Sequence, residues 1–468
     1  MAEQIVINPL TRISGFLELD AWLENNRVVD AKAEGLLFRG FEHILMGRSP
    51  FDAVFITQRI CGICSTAHSV ASSLALENAL GVPLTEQGKY LRDILHGCEF
   101  LQNHIRHFYQ MTVPDYVHLP EKAPLFETQN TDWRLPKEEN SRITKHYFDS
   151  LALSRNAHEM VSVLGGKVPH NHGVFVGGGI AHPSADKIIK LKSLLKGIQD
   201  FINGSMIPDV STIARYYGDY FNMGGGYGYF LSYGCFNGYR QLGTLYVDPL
   251  VYTEGKLAPF DPDAITQNIE YSKFKAPMNT YTPFETMTQP DADKESAYSW
   301  VKAARYKGLA YEVGPLARQW LSGEYRNGVS AMDRTIARVL EAKKITQVID
   351  VLLAQLDPDA QVQQAYRVPE TAQGQGLVDT TRGALGHWLR IQDRVLSFYQ
   401  IITPSVWNLS TQTKNLKGTA EEALIGTHVQ DINNPVELGI IVRSFDPCVS
   451  CATHIYGGNA SKTFVVVP

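Results

Sequence analysis

Two Cys-x-x-Cys pairs stand near opposite ends of the chain, Cys61 with Cys64 and Cys448 with Cys451. A turn of this kind lets two sulfurs point at one metal ion, and two pairs make a set of four thiolates. If the pairs share a metal, everything between them must fold so that the first and last segments meet in a buried place. Soft thiolates favour zinc, copper(I), iron–sulfur iron, or low-valent iron and nickel, whereas four thiolates without a spare carboxylate disfavour magnesium or calcium. Arg59 and the positive end of the helix predicted after Cys64 assist deprotonation of the first pair. A structural zinc site satisfies the cysteines taken alone, although zinc ribbons join their pairs over tens of residues rather than several hundred. Zinc and a redox metal both stay open at this point. Cys98 falls on an apolar helical stripe and Cys235 has no partner spacing, so both read as buried core thiols. Six cysteines in 468 residues are too few for a disulfide-stapled framework.

The chain is long enough for two or three lobes around a sizeable core. Its apolar and charged fractions, 44% and 19%, are those of an ordinary globular protein. A net charge of -5 and a pI near 6.3 give no electrostatic case for nucleic acid or an anionic membrane as partner. The opening Met1-Ala2-Glu3-Gln4-Ile5 has no basic region, apolar run or twin arginine, so no signal peptide is expected. No window reaches the roughly eighteen uninterrupted apolar residues of a membrane span.

Leu17, Leu19, Ala21 and Leu23 alternate with Phe16, Glu18, Asp20 and Trp22, the period of a half-buried strand. With Ile5–Ile7, and with Arg27–Ala31 turned at Asn25-Asn26, this predicts a small N-terminal hairpin sheet. Helices are predicted from Ser65 or Thr66 to Gly81 and from Lys89 to Met111, and further ones at Ser141–Leu164, Lys187–Phe201, Ala331–Leu356 and His387–Tyr399. The stretch 256–299, rich in Pro, Asp, Thr and Lys, reads as surface loops or a loop-rich insertion. Gly224–Gly228 lacks both the phosphate-loop and the dinucleotide pattern and reads as a turn. The fold class expected is mainly α with small β-sheets (α+β), the sheets lying near the two ends.

The residues around the cysteines narrow the choice. Arg59-Ile60-Cys61-Gly62-Ile63-Cys64 with His68 behind it, paired with Asp446-Pro447-Cys448-Val449-Ser450-Cys451 and His454, resembles the signatures of [NiFe] hydrogenase large subunits. Asn8–Ile13, Phe38–Glu42, His107-Phe108-Tyr109 with Asp115, Gly165–His170, Arg382–Trp388 and Pro404–Asn408 are similar to further motifs of that family, in family order. The likeness runs nearly end to end and is weakest from about 200 to 330.

The resemblance implies a central helical bundle with the metal site formed by N- and C-terminal segments. It implies a Ni-Fe centre in which Cys61 and Cys448 are terminal nickel ligands and Cys64 and Cys451 bridge nickel and iron, the iron carrying CO and CN ligands. The implied activity is reversible heterolytic cleavage of H2 to protons and electrons, with Cys448 as the base. It also sets Arg382 above the open metal position, Asp446 and Asp115 beside that arginine, and His68 near a bridging cysteine. Glu42 and His454 would hold a separate magnesium or other hard divalent ion. Read without the family, Arg382 is a salt-bridged residue, Asp446 a turn residue, His68 a packed histidine and Glu42 a solvated charge.

By the same resemblance the chain needs an iron–sulfur small subunit, nickel-insertion proteins and a maturation endopeptidase. The endopeptidase would remove 455–468 and leave one domain, 1–454. Export to the cell envelope or periplasm on a signal-bearing small subunit is the expected location, with the cytoplasm as the alternative. An H2-sensing regulatory hydrogenase is a second functional reading, but sensors lack such a tail. A zinc-binding scaffold is a third.

Two positions depart from the family. Ser14 stands where a proton-carrying glutamate is usual, and Glu18, between apolar Leu17 and Leu19, faces the other side of its strand and cannot replace it. Thr381 stands where a proline usually precedes the arginine, which removes a fixed φ and predicts some slack at Arg382.

Overall fold

In the computed structural model, residues 2–120 and 132–449 are described. Cys451, His454 and the tail 455–468 lie outside them. The antiparallel strands β1 (Glu3–Ile7), β2 (Leu17–Glu24) and β3 (Arg27–Gly35) form the N-terminal sheet with β2 in the middle. Leu17, Leu19, Ala21 and Leu23 are buried along β2, following the alternation of the sequence. Asn25 and Asn26 take φ of 50° and 60°, the left-handed pair that a two-residue hairpin turn requires.

Helix α1 (Ser65–Leu80) starts directly after Cys64 and ends at Gly81 with φ 64°. Helix α2 (Glu86–Arg106) is capped by the Thr85 hydroxyl, which accepts from Gly88 N–H. It runs on into a π-helical turn at His107–Thr112. Almost every face of α2 is buried, polar residues included, which marks it as the central helix. Helix α3 (Lys137–Gly165) packs on it, and α4 (Ala185–Phe201) packs against α3 with Leu191, Leu195 and Ile198 buried. Helices α5 (Pro315–Ser322) and α6 (Ala331–Ala354) complete the bundle, α6 opening on a Ser330–Asp333 capping box.

Two regions differ from the sequence expectation. The stretch 256–299 is not a loose insertion. It contains β4 (Ile265–Asn268), which pairs with β5 (Thr280–Tyr281) and with β6 (Ala303–Tyr306). Ile265, Phe274 and Tyr281 are core residues there, and polar Gln267, Ser272, Thr288 and Ser299 are buried with them, so the polar composition hides a packed interior. Likewise His387–Tyr399 is no helix. It belongs to an antiparallel sheet of β7 (Thr371–Thr380), β8 (Gly383–Gln392) and β9 (Val395–Ile402). Strand β8 is buried on both faces, so its apolar residues show no alternation and imitate a helical run. The sign of a hairpin is Asp393-Arg394, with φ of 53° and 63°, and neither residue is a glycine.

This sheet lies very close to α1. A Cβ on Gly374 or Gly376 would stand 2.2 or 2.1 Å from the carbonyl oxygens of Ala75 and Ala71, so only glycine allows the approach. Helix α7 (Val436–Ser444) then leads the chain back to Cys448. There Ser14 N–H donates to Pro447 O at 3.1 Å and Val449 N–H to Ser14 O at 2.7 Å. The two ends of the chain are thus joined by a short parallel bridge beside the cysteines.

Candidate metal centre

Cys61 and Cys448, 387 positions apart in sequence, bring their sulfurs to 3.3 Å. With Cys64 they form a buried set whose ligand atoms all lie within 4.8 Å of one another. Among the described residues no carboxylate joins them, so the donors suit zinc, nickel or iron rather than a hard ion. Ile63 N–H points at Cys61 Sγ at 3.3 Å and favours the thiolate. Cys448 is fixed through its own N–H, which donates to Ser405 Oγ at 3.1 Å. The cavity against these sulfurs, reached also by His68 and Arg382, measures about 10 Å³, room for one water-sized molecule.

The cation beside the sulfurs is Arg382. Arg59, expected to serve there, is exposed and donates to Phe55 O and Gln58 Oε1. Burial disfavours the Arg382 cation, but Asp446 and then Cys448, Cys64 and Cys61 push its pKa well up. Its guanidinium donates to Asp446 Oδ1 at 3.0 Å and to Asn103 Oδ1 at 2.7 Å. Thr381 Oγ1 accepts from Arg382 Nη1 at 3.3 Å, a tie that a proline at this position would not offer. Asp446, at φ 56°, also receives Asn103 Nδ2 at 2.7 Å and Arg338 at 3.4 Å. Burial opposes its ionisation, yet Arg382 and the other neighbours hold the carboxyl well below the usual range.

Asp115 is placed differently from the sequence reading. Its ion pairs run to Arg12 and to Arg443, the latter at 2.8 Å, rather than to Arg382. His68 is buried, which lowers its pKa to about 4, and its Nδ1 lies 3.1 Å from His387 Nε2. Glu42 is also buried. It accepts from Ile401 N–H at 2.9 Å and meets Lys302 Nζ at 3.4 Å, so it is no solvated charge. Ser14 Oγ is 3.7 Å from Cys448 Sγ. Glu18 lies apart, hydrogen-bonded to Asn8 and opposite Glu34 in the β2–β3 register.

Sequence reasoning did not single out Glu99, Asn103 or Arg338, and it took in Ser405 only as part of the Pro404–Asn408 motif. Glu99 of α2 accepts from Thr66 N–H at 2.7 Å and Ala67 N–H at 3.1 Å, capping α1 just after Cys64. Glu99, Asn103 and His107 recur every fourth residue, but Arg92, Asp93, His96, Gln102 and His104 of the same helix are buried too, so the spacing alone did not set them apart. Burial raises the Glu99 carboxyl to about 8. A carboxyl raised in the fold favours the native state fully below the ordinary value near 4.5, and that advantage is lost as pH rises through about 8. Glu99→Gln is therefore expected to flatten the fall of the thermal midpoint between pH 5 and 8; an unchanged slope would refute this.

Taken together, the fold and site define a protein whose terminal segments close a soft-metal centre against a fixed arginine. The chain belongs to the nickel-dependent hydrogenase family, whose profile matches residues 39–125 and 121–454. It is 36% identical over 500 residues to the periplasmic [NiFeSe] hydrogenase large subunit of Desulfomicrobium baculatum, covering 99% of this chain and 97% of that protein. It is 28% identical over 569 residues to the hydrogenase-2 large chain of Escherichia coli (strain K12), covering 100% of each. The solved Ni-Fe-Se hydrogenase from D. vulgaris Hildenborough in the reduced state superposes with a TM-score of 0.93 at 38% identity, over 97% of this chain and 100% of that one. These likenesses bear out the resemblance and the fold class read from the motifs. Among the described residues no helix is long and apolar enough to cross a membrane.

Proposed function

We propose that the chain is the catalytic large subunit of a [NiFe] hydrogenase that cleaves H2 reversibly into protons and electrons. The observation that carries this reading is the convergence of Cys61, Cys64 and Cys448 against the Arg382–Asp446 pair. Cys61 and Cys448 would hold nickel, and Cys64 with Cys451 would bridge nickel and an iron carrying CO and CN ligands. When bound, that centre supplies the polarisation that splits H2 and accepts its electrons. All four positions are cysteine, so the set is sulfur throughout.

The chain's own residues do the rest. The small cavity excludes organic substrates and bulk water. Arg382, held by Asp446 and Asn103, is a preorganised positive charge beside the reacting position. Cys448 Sγ is the atom that takes the proton, and Ser14 Oγ is its neighbour for the next step. A serine hydroxyl relays a proton through an ordered water but has no carboxylate's basicity. Ser14→Glu is expected to raise the rate of H2/D+ exchange and Ser14→Ala to lower it. Equal exchange in both variants and the wild type would remove Ser14 from the route.

Glu42 and His454 are proposed as the ligands of a magnesium or similar ion. A carboxylate oxygen suits a hard cation, and Lys302 competes for it. Cys98 and Cys235 are buried core thiols, so electrons leave through the clusters of an iron–sulfur small subunit. Domain 1–454 would be completed when a maturation endopeptidase removes 455–468 after nickel insertion, and the complex would reach the periplasm on the small subunit's signal. The purified complex should reduce a viologen dye under H2, contain nickel, and have a large subunit ending at His454. Dye reduction absent from a nickel-loaded complex would count against the reading.

A further inference from the structure

Where α2 runs into its π-helical turn, the surface opens into a cleft of about 440 Å³ that the chemistry above does not use. Its walls carry Arg12, Arg106, Arg155 and His158, with Met111 and Leu151 as the apolar part, and no carboxylate lines it. Arg12 is already paired with Asp115 and donates to Met111 O at 2.8 Å. Arg106, half-buried at the end of α2, and Arg155, exposed on α3, make no hydrogen bond or ion pair among the described residues. Each guanidinium keeps its charge at every ordinary pH, and a carboxylate is the group it grips best, through two parallel N–H donors. Burial, and then the charge of Arg106, push His158 down to about 4, so the positive field in the cleft is unrelieved.

Phe148 and Leu151 beside it are 46% and 52% exposed, and with Arg155 they stand three and four positions apart on one face of α3. An apolar stripe that ends in an unpaired arginine has the composition of a protein contact. What covers it follows from charge and from place. The chain as a whole carries -5, which repels nucleic acid or an anionic membrane, so the complement is a single acidic side chain on a protein. The cleft also lies on the metal-centre side of the surface. Burial, and then the nearby charge of Arg382, lower the Arg106 pKa, and Arg12 is two residues from Ser14, whose Oγ is 3.7 Å from Cys448 Sγ. A partner that takes electrons from that centre has to sit near it.

We propose that the cleft is a docking site for the iron–sulfur small subunit, which inserts one Asp or Glu carboxylate between Arg106 and Arg155 and covers the Phe148–Leu151 stripe with apolar side chains. The identity of the occupant rests on the small-subunit reading above. Arg106→Gln and Arg155→Glu, each made in the co-expressed complex, test the site. Either change is expected to raise the dissociation constant of the two subunits at least about 30-fold, read by mass photometry on dilution. Neither side chain is bonded within the described chain, so folding is not at stake. Arg155→Lys supplies a primary amine for a carbodiimide link, in which the reagent takes up the water released as the amide forms. The expected product joins the introduced lysine to an Asp or Glu of the small subunit. Wild-type dissociation in both charge variants, or an introduced lysine that links to no carboxylate of the partner, would overturn the docking site. A chain that purifies without any iron–sulfur partner would instead fail the small-subunit reading.

Discussion

Cys448→Ser is expected to yield a folded subunit that retains no nickel and shows no H2/D+ exchange. One atom changes, at a side chain 1% exposed whose sulfur lies 3.3 Å from that of Cys61. The hydroxyl is a poor ligand for a soft metal and stays protonated where the thiol ionises. The fold has little reason to fail, because the bridge between Ser14 and Cys448 is made by backbone atoms that the substitution leaves in place. Losing an outer hydrogen-bond partner of a metal ligand typically costs about 10- to 100-fold in affinity or activity, and losing the ligand should exceed that. Nickel by elemental analysis, with circular dichroism as the check on folding, measures the effect. Nickel retained at the wild-type level would show that Cys448 is not a ligand.

Glu341→Gln is expected to be the most damaging single change away from the sulfurs, at about 3–5 kcal/mol, the range for breaking a buried ion pair from one side. Glu341 has no exposed surface and accepts from Arg318 at 2.6 and 2.7 Å, from Tyr246 at 2.7 Å and from His104 at 2.8 Å. Burial alone would raise its pKa, but Arg318 and His104 bring it down to about 2. A depressed carboxyl contributes stability that is present above its ordinary value near 4.5 and lost as pH falls through about 2. The variant should therefore unfold at lower temperature near neutrality and lose part of the wild-type decline between pH 4.5 and 2. The damage should reach the site, because Arg338, one turn earlier on α6, contacts Asp446. A loss of thermal stability no larger than that of a surface substitution would contradict this account of the core.

What could be read from the amino-acid order was whatever local spacing encodes. The cysteine pairs, the N-terminal hairpin and the start and stop of α1 are of this kind, each resting on residues a few positions apart. The motif around Arg382 pointed to an arginine that the structure places beside the sulfurs, but not to what holds it. Its anchor Asn103, and Arg338, which pairs with Asp446, lie on two helices distant in sequence, Asn103 being 343 positions from Asp446, and no periodicity announces such a set. Asp115 shows the same limit from the other side: its charge was visible, but its partners Arg12 and Arg443 were fixed only by the fold. Strand β8 was misread because burial on both faces erases alternation. The core of 256–299 escaped because its few buried residues are outnumbered by polar ones on the outer face. Ser14 was legible as a departure, and the structure adds that it faces Cys448.

Infrared spectroscopy of the as-purified complex, with elemental analysis of the same sample, tests the nickel–iron reading most directly. Nickel together with bands of metal-bound carbon monoxide and cyanide is the expected result. Zinc in place of nickel, with none of those bands, would show that the four cysteines hold a structural ion and that this chain does not carry the hydrogen chemistry of its relatives.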